Sequence, residues 1–246
     1  MVGSEGEGVK PIGERLSALL LVLVASMVVV PGLVAGVGGA LSSPGRETTA
    51  AMIAVLFQQV AMFVLASMRL RSLGVGLGDL RPDVGSLAEA IRGVGWGIGM
   101  LFLNGLLVQV SVLLFTIVLG PGWVESTLAR EQAVVARLLD PQAGRFYLQW
   151  TVFMAVGLAP IVEELVFRGY AYPTLKAHTG KHAMWLSALL FASVHMYLIN
   201  FLPLFVLGIL LAWLYERSRS ISVPILAHAT MNGLVAVIAV MADRIG

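Results

Sequence analysis

The chain has 246 residues, 58% of them hydrophobic and 12% charged, and a mean hydropathy of +0.90. Soluble domains carry about 25% charged residues, so the composition excludes a water-soluble enzyme, a disordered tail and a nucleic-acid-binding domain, and indicates an integral membrane protein. The 16 Lys and Arg nearly balance the 14 Asp and Glu, which leaves no basic patch, and the absence of cysteine removes disulfides, thiolate metal sites and a cysteine nucleophile.

A crossing needs about 20 apolar residues. After Lys10 and Arg15, residues 16–45 are uncharged and supply a first span from Leu16 to about Ala40. This run is longer than the ~7–15 residues of a signal-peptide core, so it reads as an uncleaved anchor. Residues 48–68 form a second span, bounded by Glu47 and Arg69. Residues 69–92 read as a loop leading into a helix from Ser86, and residues 93–124 hold a third span that ends before Gly120-Pro121-Gly122. Within it, the alternating Gly93, Gly95, Gly97 and Gly99 are not followed by the Lys-Ser/Thr of a phosphate loop, and read as small residues that let helices approach closely.

Residues 123–145 carry Glu125, Arg130, Glu131, Arg137, Asp140 and Arg145, and suggest a surface helix ending near Pro141. A fourth span starts at Phe146 and runs into Glu163 and Glu164. The uncharged run from Ala183 to Tyr215 is too long for one crossing; Asn200 and Pro203 suggest a break into two shorter spans. Residues 220–241 make the last.

The expected fold is therefore an all-α polytopic membrane protein of about seven helices. Its parts are an N-terminal segment (1–15), N-terminal transmembrane helices (16–122), an extramembrane connection (123–145) and a C-terminal core (146–242). Ten loop Lys and Arg on the side of Lys10 and Arg15 (with Arg69, Arg71, Arg81, Arg92, Lys176, Lys181, Arg217 and Arg219) face five on the other (Arg46, Arg130, Arg137, Arg145 and Arg244). The positive-inside rule then puts the N-terminus in the cytoplasm of a cell with this protein in its plasma membrane.

Ionisable groups within a bilayer are costly and mark function by default. Here they gather in the C-terminal third, as Glu163, Glu164, Arg168, His195, His228 and Asn232. Glu164 and Arg168 stand at i and i+4 and suit an ion pair, while Glu163 lies about 100° round the helix and escapes it. Pro160 just upstream can kink the helix and admit water. His195 follows Phe191 by one turn, and His228 and Asn232 repeat the i, i+4 spacing on the last span. Taken singly, each has a bland reading: boundary carboxylates, a packing histidine, interhelical glue. Gln58, Gln59, Asn104, Gln109 and Gln149 read as glue, and His178 and His182 as loop residues without a role.

Together four of the six supply what peptide hydrolysis requires: Glu163 and His195 to activate water, and His228 and Asn232 to donate to an oxyanion. Glu163, His195 and His228 would also suit a divalent metal such as zinc, although no H-E-x-x-H string occurs.

The strings Glu163-Glu164-x-x-x-Arg168, Phe191-x-x-x-His195 and His228-x-x-x-Asn232 resemble the motifs of the CPBP (CAAX protease and bacteriocin-processing) family of intramembrane proteases, related to the Rce1 prenyl-protein endopeptidases. The resemblance covers residues 146–240. It implies a helical membrane fold, of eight helices in the Rce1 relatives, around a water-filled cavity open to the cytoplasm. It also implies Glu163 and His195 as the water-activating pair, an oxyanion site at His228 and Asn232, and Glu164 and Arg168 in support. It leaves metal and glutamate chemistry both open. The expected partners are the bilayer and a membrane-associated peptide substrate, a prenylated C-terminal CAAX peptide among the candidates. The competing functions are a non-proteolytic immunity or scaffolding protein and a small proton-coupled transporter.

Overall fold

The computed structural model describes residues 9–30, 32–33, 47–80, 86–139 and 145–245. These residues are helical with short connections and no strand. The end of the first expected span, Arg46, Arg81, Asp140 and Pro141 lie outside them.

Helix α1 (Leu16–Val24) continues through a π-helical turn, Ala25–Val29. Helix α2 (Glu47–Ser72) follows. A short 3-10 turn (Leu77–Leu80) leads to α3 (Leu87–Leu119), whose N-cap Ser86 accepts the Glu89 N–H through its hydroxyl. That bond is the serine arm of a Ser-x-x-Glu capping box. Gly120, at φ 86°, ends α3 where expected, and α4 (Pro121–Leu139) is the predicted polar-faced helix.

The next stretch is one long bent helix: α5 (Arg145–Val152), a π turn (Phe153–Leu158), α6 (Ala159–Glu164), a second π turn (Leu165–Ala171) and α7 (Tyr172–Thr179). Each π turn closes one residue before an X-Pro step, at Pro160 and Pro173. A proline lacks the N–H that would continue the ladder, and a widened turn upstream of it accommodates the lost bond. Past Gly180 (φ 55°) the chain doubles back as α8 (Ala183–Val194). The Ser187 hydroxyl donates to the Phe167 carbonyl at 3.2 Å, which 20 residues of straight helix, about 30 Å long, would forbid. Residues 195–200 make the expected break, then come α9 (Phe201–Ser218) and α10 (Ser222–Ile245).

Five stretches are long and apolar enough to cross a membrane, and Leu16–Val29 is a shorter apolar helix. One of the five, Arg145–Val194, contains the reversal at Gly180. Splitting it there gives seven apolar helical segments among the described residues, of which α8, at about 18 Å, is too short to cross alone.

Two contacts position the C-terminal helices. On α3, a Cβ at Gly97 would lie 2.5 Å from the Ala227 carbonyl oxygen, and one at Gly93 would lie 2.8 Å from Leu226 Cβ. Gly95 and Gly99, on the other face, meet nothing within 4 Å. The glycine run is thus a close-approach seam at two of its four positions, and it sets the height and rotation of α10. Gly208 plays the same part between α9 and α8, where a Cβ would come within 3.0 Å of Ala188 Cα.

The N-terminal segment is tied to the α7 end of the bundle. Buried Glu14 bonds Arg69 Nε at 2.8 Å and the Tyr170 hydroxyl at 3.3 Å, and its backbone carbonyl accepts from His178 Nε2 at 2.7 Å. Burial pushes its carboxyl up, but the Arg15 N–H, the Arg69 guanidinium and Tyr170 together outweigh that and hold it below the ordinary 4.5. His178, assigned no role from sequence, therefore has a structural one.

Candidate active site

The site is built from α6, α8 and α10. Glu164 and Arg168 lie behind it with side chains wholly out of solvent, paired at 3.0 Å. Arg168 also donates to the Gly208 carbonyl at 3.1 Å. Its guanidinium sits 4.6 Å from the centre of the Phe191 ring, in cation–π range. Phe191 in turn stands edge-on to Phe167 and to His228, with ring centroids 5.2 and 6.0 Å away, and packs on the His195 ring at 4.8 Å. One apolar ring thus separates the arginine from both imidazoles, which gives the Phe-x-x-x-His spacing a physical reason.

The ring orientation of each histidine follows from its partner. His195 is the C-cap of α8, and its Nδ1 lies 2.7 Å from the Phe191 carbonyl. A carbonyl only accepts, so Nδ1 carries the proton and Nε2 is left facing Glu163. His228 is held through Nδ1 to Glu164 Oε1 at 3.0 Å, which leaves its Nε2 also facing Glu163. Glu163 Oε2 is 3.9 Å from His195 Nε2 and 4.0 Å from His228 Nε2. These gaps are too wide for direct hydrogen bonds, and each suits a single water about 2.8 Å from both groups.

Asn232, one turn beyond His228, donates through Nδ2 to the Ala155 carbonyl at 2.8 Å. The cause is local. In the first π turn the Ala159 N–H bonds Met154, so the next rung would run from residue 160 to Ala155, and Pro160 has no N–H to make it. The freed carbonyl fixes the carboxamide, whose second N–H remains for other use.

These groups line one cavity of about 610 Å³, a size typical of ligand pockets. Glu163, His195, His228 and Asn232 lie on its wall, whereas Glu164 and Arg168 do not. The cavity extends along α6 and α5 to Trp150, along α10 to Ala239 and along the first half of α2 to Met52. It therefore runs toward the end of the bundle where α5 begins and α10 ends, opposite to Lys10 and Glu14. The two sidedness expectations do not fit one molecule: a cytoplasmic N-terminus turns this cavity outward, and a cytoplasmic cavity turns the N-terminus outward.

Residues outside the expected set also belong here. Gln59 lines the cavity, is buried, and its Oε1 has no hydrogen-bond partner; the reading as interhelical glue does not describe it. Tyr197 lines the cavity too. Burial pushes its phenol up, and the carboxylates of Glu131 and Glu163 add to the shift. Neither carried a motif that sequence could have flagged.

The metal expectation does not carry over. Among the described residues no group of three or more His, Asp or Glu is disposed to hold a metal ion. Zinc bonds of about 2.0–2.1 Å put tetrahedral donors about 3.4 Å apart, against 3.9 and 4.0 Å here. As arranged, Glu163 stands wider of the two imidazoles than tetrahedral zinc donors do.

Comparison with known proteins places this region. Residues 145–234 match the family described as type II CAAX prenyl endopeptidase Rce1-like. The chain is 36% identical over 81 residues to the Bacillus subtilis (strain 168) protein named "Putative membrane peptidase YdiL". That similarity spans 32% of this chain and 33% of the Bacillus protein, so the chain matches about a third of its relative's length. No solved structure matches the chain.

Proposed function

From the match of residues 145–234 to the Rce1-like family, we propose that the chain is an intramembrane endopeptidase whose reacting water lies between Glu163 and His195. The supporting observation is the 3.9 Å separation of Glu163 Oε2 and His195 Nε2 at the wall of the cavity. A carboxylate and a bare imidazole nitrogen can both accept from one water, and deprotonate it as its oxygen attacks the scissile carbonyl.

The developing oxyanion would be met by the remaining N–H of Asn232 and by Nε2 of His228. For that nitrogen to donate, the His228 ring must carry both protons, since Nδ1 already donates to Glu164. Glu164 and Glu163 supply the balancing negative charge. Arg168 holds Glu164 in place, and Phe191 keeps the guanidinium away from the reacting groups. As the C–N bond breaks, the proton taken from water passes to the leaving amine, so the products are a carboxylic acid and an amine, which ionise to carboxylate and ammonium. The catalytic core is assigned to residues 146–242, resting on the helices of 16–122.

The mostly apolar cavity wall favours a membrane-associated peptide, with a lipidated C-terminal segment of the CAAX type as the substrate class to try first. The test is cleavage of quenched fluorescent peptides, prenylated and unprenylated, by the purified protein beside Glu163→Gln. The expected result is cleavage by wild type, none by the variant, and no loss with a chelator. Equal cleavage by both proteins would remove Glu163 from the mechanism.

A further inference from the structure

Glu131, on α4, is bound to the turn that follows His195. Its Oε1 accepts the backbone N–H groups of Leu198 at 2.6 Å and Ile199 at 2.9 Å. Its Oε2 accepts Asn200 N at 3.3 Å and Asn200 Nδ2 at 2.7 Å. Three successive N–H groups in the turn just ahead of α9 thus find their acceptor on another helix. Asn200 stands at the N-cap of α9 yet makes no capping bond to that helix; its carboxamide is turned to Glu131 instead.

The rest of the turn is anchored by the buried Ile199 side chain and by the Phe201 N–H bond to the Leu198 carbonyl. Met196 takes the left-handed conformation at φ 58°, which disfavours a side chain, and it is 86% exposed. Only Ile199 is buried. His195 is the C-cap of a 12-residue helix and the first residue of this turn. Wherever the turn goes, the imidazole facing Glu163 goes with it. With four donors on its two oxygens, Glu131 is not itself placed to take a proton from water.

On the reading that His195 and Glu163 share a water, we infer that Glu131 is a positioning residue. It clamps residues 198–200 from the surface helix and so fixes His195 at its distance from Glu163. Helix α4 is then part of the catalytic apparatus although it carries no reacting group.

The experiment compares wild type, Glu131→Ala, Glu131→Gln and Asn200→Ala in the full-length purified protein. Amide hydrogen exchange and peptide cleavage are read on each, with Glu163→Gln in parallel. In Glu131→Ala, amides of 196–200 should exchange faster while those of α10 are unchanged. Its kcat should fall about 10- to 100-fold with KM held within about twofold, as expected for a displaced catalytic group. Glu131→Gln, which keeps one acceptor oxygen, should recover part of the loss, and adding Asn200→Ala to Glu131→Ala should cost nothing more. Exchange at 196–200 as in wild type, or faster exchange with unaltered kcat, would overturn the inference. If Glu131→Ala does not fold, Glu131→Gln is judged by the same criteria. Full activity of Glu163→Gln would sink the proteolytic reading, whereas a silent Glu163→Gln beside a fully active Glu131→Ala would sink only the role of Glu131. If wild type cleaves no peptide, the proteolytic reading fails, and exchange at 196–200 alone decides for the clamp.

Discussion

Phe191 shows how one side chain can organise charges it never bonds. Arg168 is buried, paired with Glu164 and capped by that ring, so its guanidinium is used in holding Glu164. Removing the ring leaves a cavity beside a buried cation, and large-to-small changes of this kind cost about 3–5 kcal/mol in soluble cores. Phe191→Ala is expected to lower both thermal stability and turnover by at least ~10-fold, and Phe191→Tyr to lower them less. Wild-type kcat in Phe191→Ala would show that the ring is dispensable. Removing Arg168 leaves the buried Glu164 with His228 Nδ1 as its remaining partner, and an incompletely compensated buried charge costs up to about 3–5 kcal/mol. Arg168→Met should therefore be less stable than the double change Arg168→Met with Glu164→Leu, as read by thermal unfolding in detergent. The roles of Glu164 and Arg168 could be anticipated because i and i+4 residues share a helix face. The bond from Asn232 to Ala155 could not, because it depends on a π turn whose register no periodicity reveals.

At the scale of the element, the seam between α3 and α10 makes a sharper demand. A methyl group at Gly97 would overlap a backbone carbonyl, whereas one at Gly95 meets nothing. Gly97→Ala should displace α10 and carry His228 and Asn232 off their partners, with overpacking costing about 1–3 kcal/mol. Gly95→Ala should behave as wild type, and the pair is checked by melting temperature and cleavage rate together. The reading of this glycine run as a packing device was available from sequence, since it lacks a phosphate loop's lysine; which two of the four glycines carry it was not. The N-terminal segment is an element of another kind, in which one carboxylate joins backbone bonds at Ile12 and Glu14 in holding it to the bundle. Glu14 is lowered below its ordinary 4.5 in the folded protein, so its contribution is present above about pH 4.5 and is lost as pH falls through the lower folded value. Proteolytic release of residues 9–15 should rise between about pH 5 and pH 3 in wild type. Glu14→Gln should show high release already at neutral pH and little further change.

For the whole molecule, the bundle has a closed end, where Glu14, Arg69 and His178 meet, and a cavity that runs to the other. Composition made the membrane and the helices plain, and the break at 195–200 was visible in Asn200 and Pro203. The shortness of α8 was hidden, because the apolar run that contains it continues without a charge from one helix into the next. The direction of the cavity was hidden too, since it depends on how helices distant in sequence are arranged in space. Loop charges predict that the closed end is cytoplasmic. Since the chain has no cysteine, single cysteines at Lys181 and Arg130 can be labelled in intact cells with an impermeant thiol reagent. The charge count predicts labelling at 130 and protection at 181; the reverse pattern would turn the cavity to the cytoplasm. The central claim, that Glu163 and His195 act on one water, is tested most directly by their joint removal. Glu163→Gln and His195→Gln should each lower kcat by about 10²–10⁴-fold, and the double variant should be no slower than the worse single one, as for groups that work as a unit. Losses that multiply in the double variant, or a single variant with wild-type turnover, would contradict it.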